Sequence, residues 1–221
     1  MAGILLGLQT NEWVEGKKDR QMEEFYLQEL LADMRKDSIE FNNVLLYVKE
    51  AEKNARLAHH YLEQRHESMD TLEFINAFKS SASFHMGAFP SMTWENLANT
   101  GNIKFIRNRG VLRSLYDYHA SRNNVFSVVL SEFNFELKAL HDYDKVHFSI
   151  PDQNDFFREF KLDTLHDKNV IPKLIGDLKS KELMKRLIVA HTVFQHNLEL
   201  LCASTNECIR SLQGELMSGH F

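Results

Sequence analysis

KKDRQMEEFYLQELLADMRKDSIEFNNVLLYVKEAEKNARLAHHYLEQRHE, residues 17–67, contains neither proline nor glycine, and Leu27, Met34, Phe41, Val48, Ala55 and Leu62 recur in it at every seventh place. A helix turns once in about 3.6 residues, so a repeat of seven keeps one apolar stripe facing one way. The stretch predicts a continuous helix from near Lys17 to near Glu67, about 75 Å long at a rise of about 1.5 Å per residue. Leu31 and Leu45 supply a second seam position, which Ser38 and Glu52 interrupt. Polar breaks of that kind suit a face inside a bundle better than a self-contained coiled-coil dimer.

Two more periodic runs lie downstream. Leu112, Tyr116, His119, Phe126, Leu130, Phe133, Leu137 and Leu140 predict a second long helix over Gly110–Lys145. Leu183, Leu187, Ala190, Phe194, Leu198, Leu201, Thr205, Cys208, Leu212 and Leu216 predict a third over Ser180–Met217. Between the first two, Asp70 is placed to cap a short helix Thr71–Lys79, and Ser80–Pro90 reads as a loop. Thr93 caps another short helix, Trp94–Asn99, which Gly101 ends in the left-handed conformation. Pro151, Pro172 and Gly176 cut residues 148–176 into turns and short helical pieces. The fold class is therefore all-α: an elongated bundle of three long helices, with short helices inserted between the first and second and between the second and third. Residues 14–221 form one domain, in which 68–108 caps the end far from the N-terminus.

Composition agrees with that class. Only 3 prolines and 9 glycines occur in 221 residues, so little interrupts a helix, and 43% hydrophobic content suffices for a core. The 31 acidic and 26 basic side chains give a net charge of -5 with no block of like charge, which disfavours nucleic acid as a partner.

The chain begins MAGILLGLQTNEWVEGKKDR. It lacks the basic start, long apolar run and small-residue cleavage site of a secretory signal. Met1–Leu8 would traverse only about 12 Å of a hydrocarbon core about 30 Å thick. Yet aliphatic residues, then Gln9, Thr10 and Asn11, then Trp13, then the charged run Glu15–Arg20 follow the order of a helix leaving a membrane, with Trp13 at the interface. An ordinary helix start folded on the core is the competing reading. If the stretch is the end of a spanning helix, tight packing should begin at Trp13.

GILLGLQTNEWVEGKKDRQMEEFYLQELLADMRKD (3–37) and TWENLANTGNIKFIRNRGVLRSLYDYH (93–119) resemble a family of uncharacterised bacterial membrane proteins. In that family a spanning helix ends in a Gly-Ile-Leu-rich stretch followed by Gln, Asn, Trp and a charged helix, and a later Leu, Gly, Ile and Arg precede an aromatic-rich helix. The resemblance implies that residues 1–13 are the remnant of a single-pass anchor in the bacterial inner membrane, with a helical domain in the periplasm. The family has no assigned activity, so no catalytic residue carries over.

Chemistry is sparse in the residues themselves. Glu63 and His66 have the spacing that di-iron bundles use on each of two helices, and His196 and Glu199 form a reversed pair. By helical rise the two pairs fall at different heights, so no metal and no cofactor are expected. His141, Asp142, Asp144 and His147 read as helix-terminal polar groups rather than ligands. Cys202 and Cys208, six apart on one helix, are separated by about 9 Å of rise and about 240° and cannot bridge. No nucleophile elbow, P-loop or dinucleotide fingerprint occurs. The one concentrated basic spot is Lys104, Arg107, Arg109 and Arg113, interleaved with Phe105, Tyr116 and Tyr118. It is the candidate contact for an acidic partner, glycan or lipid headgroup, against the plainer reading of a solvated flank. Trp94, with Phe89, is either an exposed docking knob or the aromatic that pins its short helix to the bundle. The sequence thus points to a membrane-anchored extracytoplasmic module, not an enzyme, that senses, scaffolds, or binds a protein partner or itself. The alternative is a soluble cytosolic helical enzyme with a metal or thiol site.

Overall fold

The structure, a computed structural model, describes residues 2–64, 71–83, 92–147 and 171–219, with the side chains of 2–12 outside the description. The described elements are all helical: α1 (Ala2–Gln64), α2 (Thr71–Ser80), α3 (Met92–Thr100), a 3-10 turn (Asn102–Phe105), α4 (Arg109–Asn124), a π turn (Val125–Val129), α5 (Leu130–His147), α6 (171–176) and α7 (Leu178–Ser218). The all-α class stands, and no strand occurs among the described residues. The chain divides into two compact units. Unit 1 is Met1–Asn42, Gly87–Arg122 and Leu200–Phe221; unit 2 is Asn43–Met86 and Asn123–Glu199. The segment 68–108, expected as one cap, is split between them, with α2 in unit 2 and α3 in unit 1.

α1 runs unbroken, as the lack of breakers requires. Leu27, Met34, Phe41, Val48, Ala55 and Leu62 are all 0% exposed. Burying a side chain the size of Leu, Met or Phe contributes on the order of 1.5–3 kcal/mol, so this stripe is the main adhesive of the helix. The second seam is not the expected one. Leu31 is buried and Leu45 half-buried, but the regular row is Glu23, Leu30, Asp37, Val44, Ala51 and Ala58, every member at most 5% exposed. Together the two rows alternate by three and four residues, the spacing of a packed helix face. Two carboxylates and two alanines hid the row from a search for large apolar residues.

The α4 stripe also departs from expectation, by one residue. Val111, Leu115, Tyr118 and Val125 are buried, as is the expected His119, whereas Tyr116 is 50% exposed and Leu112 and Phe126 only half-buried. Beyond the π turn the expected Leu130, Phe133 and Leu140 are buried. In that turn the Leu130 N–H donates to the Val125 carbonyl, five residues back. One extra residue rotates everything before it by about 100°, which is why a single period cannot fit both sides.

Within unit 1, the chain from Thr93 to Arg107 lies antiparallel to α1. The Thr93 N–H and hydroxyl donate to Asp33 (3.3 and 2.7 Å), the Asn102 amide to the Tyr26 hydroxyl (2.9 Å), and the Arg107 N–H to Glu23 Oε1 (2.7 Å). Gly101, at φ 70° and ψ 14°, ends α3 in the left-handed conformation, as expected. A methyl group there would meet open space. Gly101→Ala should therefore cost only its backbone strain, about 1 kcal/mol, read as a fall of a few degrees in the thermal melt; unchanged stability would show that the turn does not need this conformation. Asn108 Oδ1 caps α4 through the N–H groups of Gly110 (2.8 Å) and Val111 (3.3 Å). α7 runs antiparallel to α4, with Asn108 bonded to Glu215 and the Ser114 hydroxyl 3.9 Å from Cys208 Sγ.

Within unit 2, α1 and α7 are antiparallel and laced at intervals of seven: Lys49 to Glu199 (3.1 Å), Arg56 to Thr192 (3.5 Å) and Glu63 to Lys185 (3.6 Å). The core gathers Ala55, Tyr61 and Leu62 from α1, Phe74 and Phe78 from α2, Tyr143 from α5 and Leu187 from α7. Tyr61 stacks on Phe74 with centroids 4.4 Å apart. Asp177 caps α7 through the Lys179 N–H (3.0 Å) and accepts the Tyr143 hydroxyl (2.5 Å).

Packing on α1 begins later than expected. Trp13 is 66% exposed, and no side chain from Trp13 to Met22 is buried; from Trp13 onward, Glu23 is the first that is. The onset is thus ten residues past Trp13, about 15 Å of helix.

Candidate functional site

The four basic residues do not converge. Arg107 is held by Glu23 and Asp19, each at 3.7 Å, because the buried Glu23 carboxylate needs a counter-charge. Arg113 pairs with Asp117 at 3.8 Å, Lys104 lies 5.4 Å above the Phe105 ring, and Arg109 is exposed. Trp94 is half-buried between α3 and α4, stacked on His119 (4.4 Å) and edge-on to Tyr116 (5.1 Å). It packs α3 against α4. Phe89 lies outside the described residues.

The proposed metal pairs do not meet. Glu63 and Glu199 sit fourteen residues apart on the α1–α7 ladder, each bound to a lysine, and His66 lies outside the described residues. Asp142 pairs with Lys145 (3.7 Å) and His147 packs on Tyr143 (4.3 Å), whereas His141 and Asp144 line a cavity of about 220 Å³ with Lys79 and Ser83. Among the described residues no three His, Cys, Asp or Glu side chains group as a metal ion requires. Cys208 is buried, which pushes its thiol up to about 11. Cys202 is half-buried, and neither forms a disulfide.

Two buried polar groups in unit 1 escaped the sequence reading of chemistry. The Tyr118 hydroxyl donates to Asp37, a carboxylate 5% exposed. Burial raises the Asp37 pKa, with the Tyr118 bond and the Arg122 charge opposing it. His119, between Trp94 and Tyr118, has no partner at Nε2; burial and then the Arg122 charge lower its pKa to about 3, so it is neutral. In unit 2, His191 is fully buried, donates from Nε2 to the Ser81 carbonyl (2.8 Å) and packs on Phe133 (5.0 Å). These groups are buried within their units. Asp37 and Glu23 fall on a seven-residue row of α1, but the groups that let a charge sit there, Tyr118 and Arg107, are distant in sequence.

An open groove lies on unit 2 between α5 and α7, with a volume of about 660 Å³ and walls that include Phe133, Phe135, Val189 and Val193. The chain matches no protein-family model, no curated protein and no solved structure. No helix among the described residues is long and apolar enough to cross a membrane.

Proposed function

We propose that the protein is a helical module held at a bacterial inner membrane by the start of α1, its helical part in the periplasm, acting by binding rather than by catalysis. The observation that carries this reading is the run of α1 from Trp13 to Met22, already helical and without a buried side chain. A helix is marginal in water unless one face is packed, so such a run wants another surface. Met1–Leu8 serves as the last turns of a spanning helix and Trp13 as its interfacial residue. In the same reading α4, the π turn and α5 act as one helix, the second of a three-long-helix bundle.

Flotation with phospholipid vesicles tests it. The full chain should float with the vesicles, and a chain lacking residues 1–12 should stay below while losing less than about 1 kcal/mol of unfolding free energy, since surface changes away from a core fall in that range. A deletion that still floats, or one that melts several degrees lower, would overturn the tether.

A further inference from the structure

We infer that the outer groove between α5 and α7 of unit 2 is a docking site for an amphipathic helix whose apolar ridge is flanked by lysine or arginine. Phe135 and Val189, on opposite walls, are 63% and 62% exposed, and Val193 continues the α7 wall one turn further. Apolar surface concentrated in one concavity, instead of scattered singly, marks a place built to be covered. From Glu182 to Val193 the α7 wall spans eleven residues, about 16 Å, which accommodates about three turns of a helix.

The walls select the shape of the occupant. Two packed helices leave a furrow between their side-chain ridges into which the ridge of a third helix fits. An extended strand would instead face these apolar walls with unbonded N–H and C=O groups. A helical ligand with apolar anchors at i, i+4 and i+7 satisfies its own backbone.

The rim selects its charge. Three carboxylates line the groove, Glu132, Glu136 and Glu182, against two cations. Both cations are engaged within the chain: Arg186 bonds to Glu136 at 2.7 Å, and Lys185 is drawn to Glu63 at 3.6 Å. Glu132 on the α5 side and Glu182 on the α7 side are both exposed and in no ion pair among the described residues, so the mouth is negative on both banks. A lipid surface with anionic headgroups is repelled by that rim, and a second copy presenting this face would set acid against acid.

The test uses three synthetic sixteen-residue helical peptides and the full chain, with binding read by fluorescence anisotropy. One peptide carries a leucine ridge flanked by lysines, the second the same ridge flanked by glutamates, and the third the lysines with the leucines scrambled. The lysine peptide should bind at least tenfold more tightly than either other peptide, and its lead over the glutamate peptide should shrink as salt is raised. Glu132→Lys with Glu182→Lys, both surface changes, should reverse the preference for charge. Val189→Asp should weaken the lysine peptide at least tenfold, its helical circular dichroism and melt reporting that the fold is intact. Equal binding of the lysine and glutamate peptides, no binding at all, indifference to the Glu132 and Glu182 changes, or self-association of the chain that Val189→Asp abolishes would each overturn the assignment.

Discussion

Tyr118→Phe is expected to cost about 3 kcal/mol of unfolding free energy near neutral pH, a large loss for the removal of one oxygen atom. The reason is what stays behind. Asp37 lies in the buried row of α1, and Tyr118 is the hydroxyl that bonds its carboxylate. Burial already outweighs that bond and the nearby Arg122, holding the Asp37 pKa above its ordinary value. Without the hydroxyl the carboxylate is buried and still poorer in donors. Asp37→Asn on its own should be close to neutral, because an amide oxygen accepts the same hydroxyl without a charge to desolvate. Adding it to Tyr118→Phe should recover most of the loss.

The pH dependence has a definite sign. A carboxyl whose folded pKa is raised binds its proton more tightly folded than unfolded, so its stabilising contribution is complete below the unfolded pKa and is lost as pH rises through the folded one. The penalty of Tyr118→Phe should therefore be smaller at about pH 5 than at about pH 7.5, because a carboxyl whose pKa burial has raised takes up its proton more readily as pH falls. Urea unfolding of both proteins at both values checks this. A cost below about 1 kcal/mol, the same at each pH, would mean that the hydroxyl does not hold the carboxylate.

How far the sequence speaks for the fold is clear along α1. The absence of breakers and the row Leu27, Met34, Phe41, Val48, Ala55 and Leu62 were enough to place a long helix and its buried stripe, because apolar size and period report the same thing. The companion row was illegible for a physical reason. Glu23 and Asp37 are buried only because Arg107 and Tyr118, 84 and 81 residues away, reach them, and local periodicity does not register so distant a partner. The one-residue slip of α4 has a similar origin: the π turn is a property of backbone hydrogen bonds, and VFSVV reads as an ordinary apolar helical run. In the basic cluster, cation spacing was visible but neutralisation was not, since Glu23 and Asp19 lie on α1, more than 80 residues before Arg107 in the connector ahead of α4. The groove was least legible of all, because it belongs to two helices 50 residues apart, Glu136 to Arg186, neither of which is unusual alone.

His119 should make the protein acid-sensitive from about pH 6.5 downward, a window that opens above ordinary carboxylate titration. Its pKa is lowered from 6.5 to about 3 by burial and by Arg122, and its Nε2 faces no acceptor that would welcome a proton. A lowered histidine pKa means that the unfolded chain takes the proton first. Its contribution is complete above about 6.5 and is lost as pH falls toward about 3. At pH 5 the unfolded state is ahead by about 1.5 units, which corresponds to about 2 kcal/mol at about 1.36 kcal/mol per unit. His191 moves in the same direction, again from burial, whereas Asp37, whose pKa is raised, gains stability as pH falls and partly offsets both. His119→Phe isolates the first contribution, since a phenyl ring keeps the stack on Trp94 and cannot titrate. The variant should unfold at nearly the same urea concentration as the parent near pH 7.5 and hold about 2 kcal/mol more stability than the parent at pH 5. Parallel curves across that interval would place the acid sensitivity elsewhere, and His191→Phe would then be the variant to separate from its parent, at the cost of the hydrogen bond that His191 donates to Ser81.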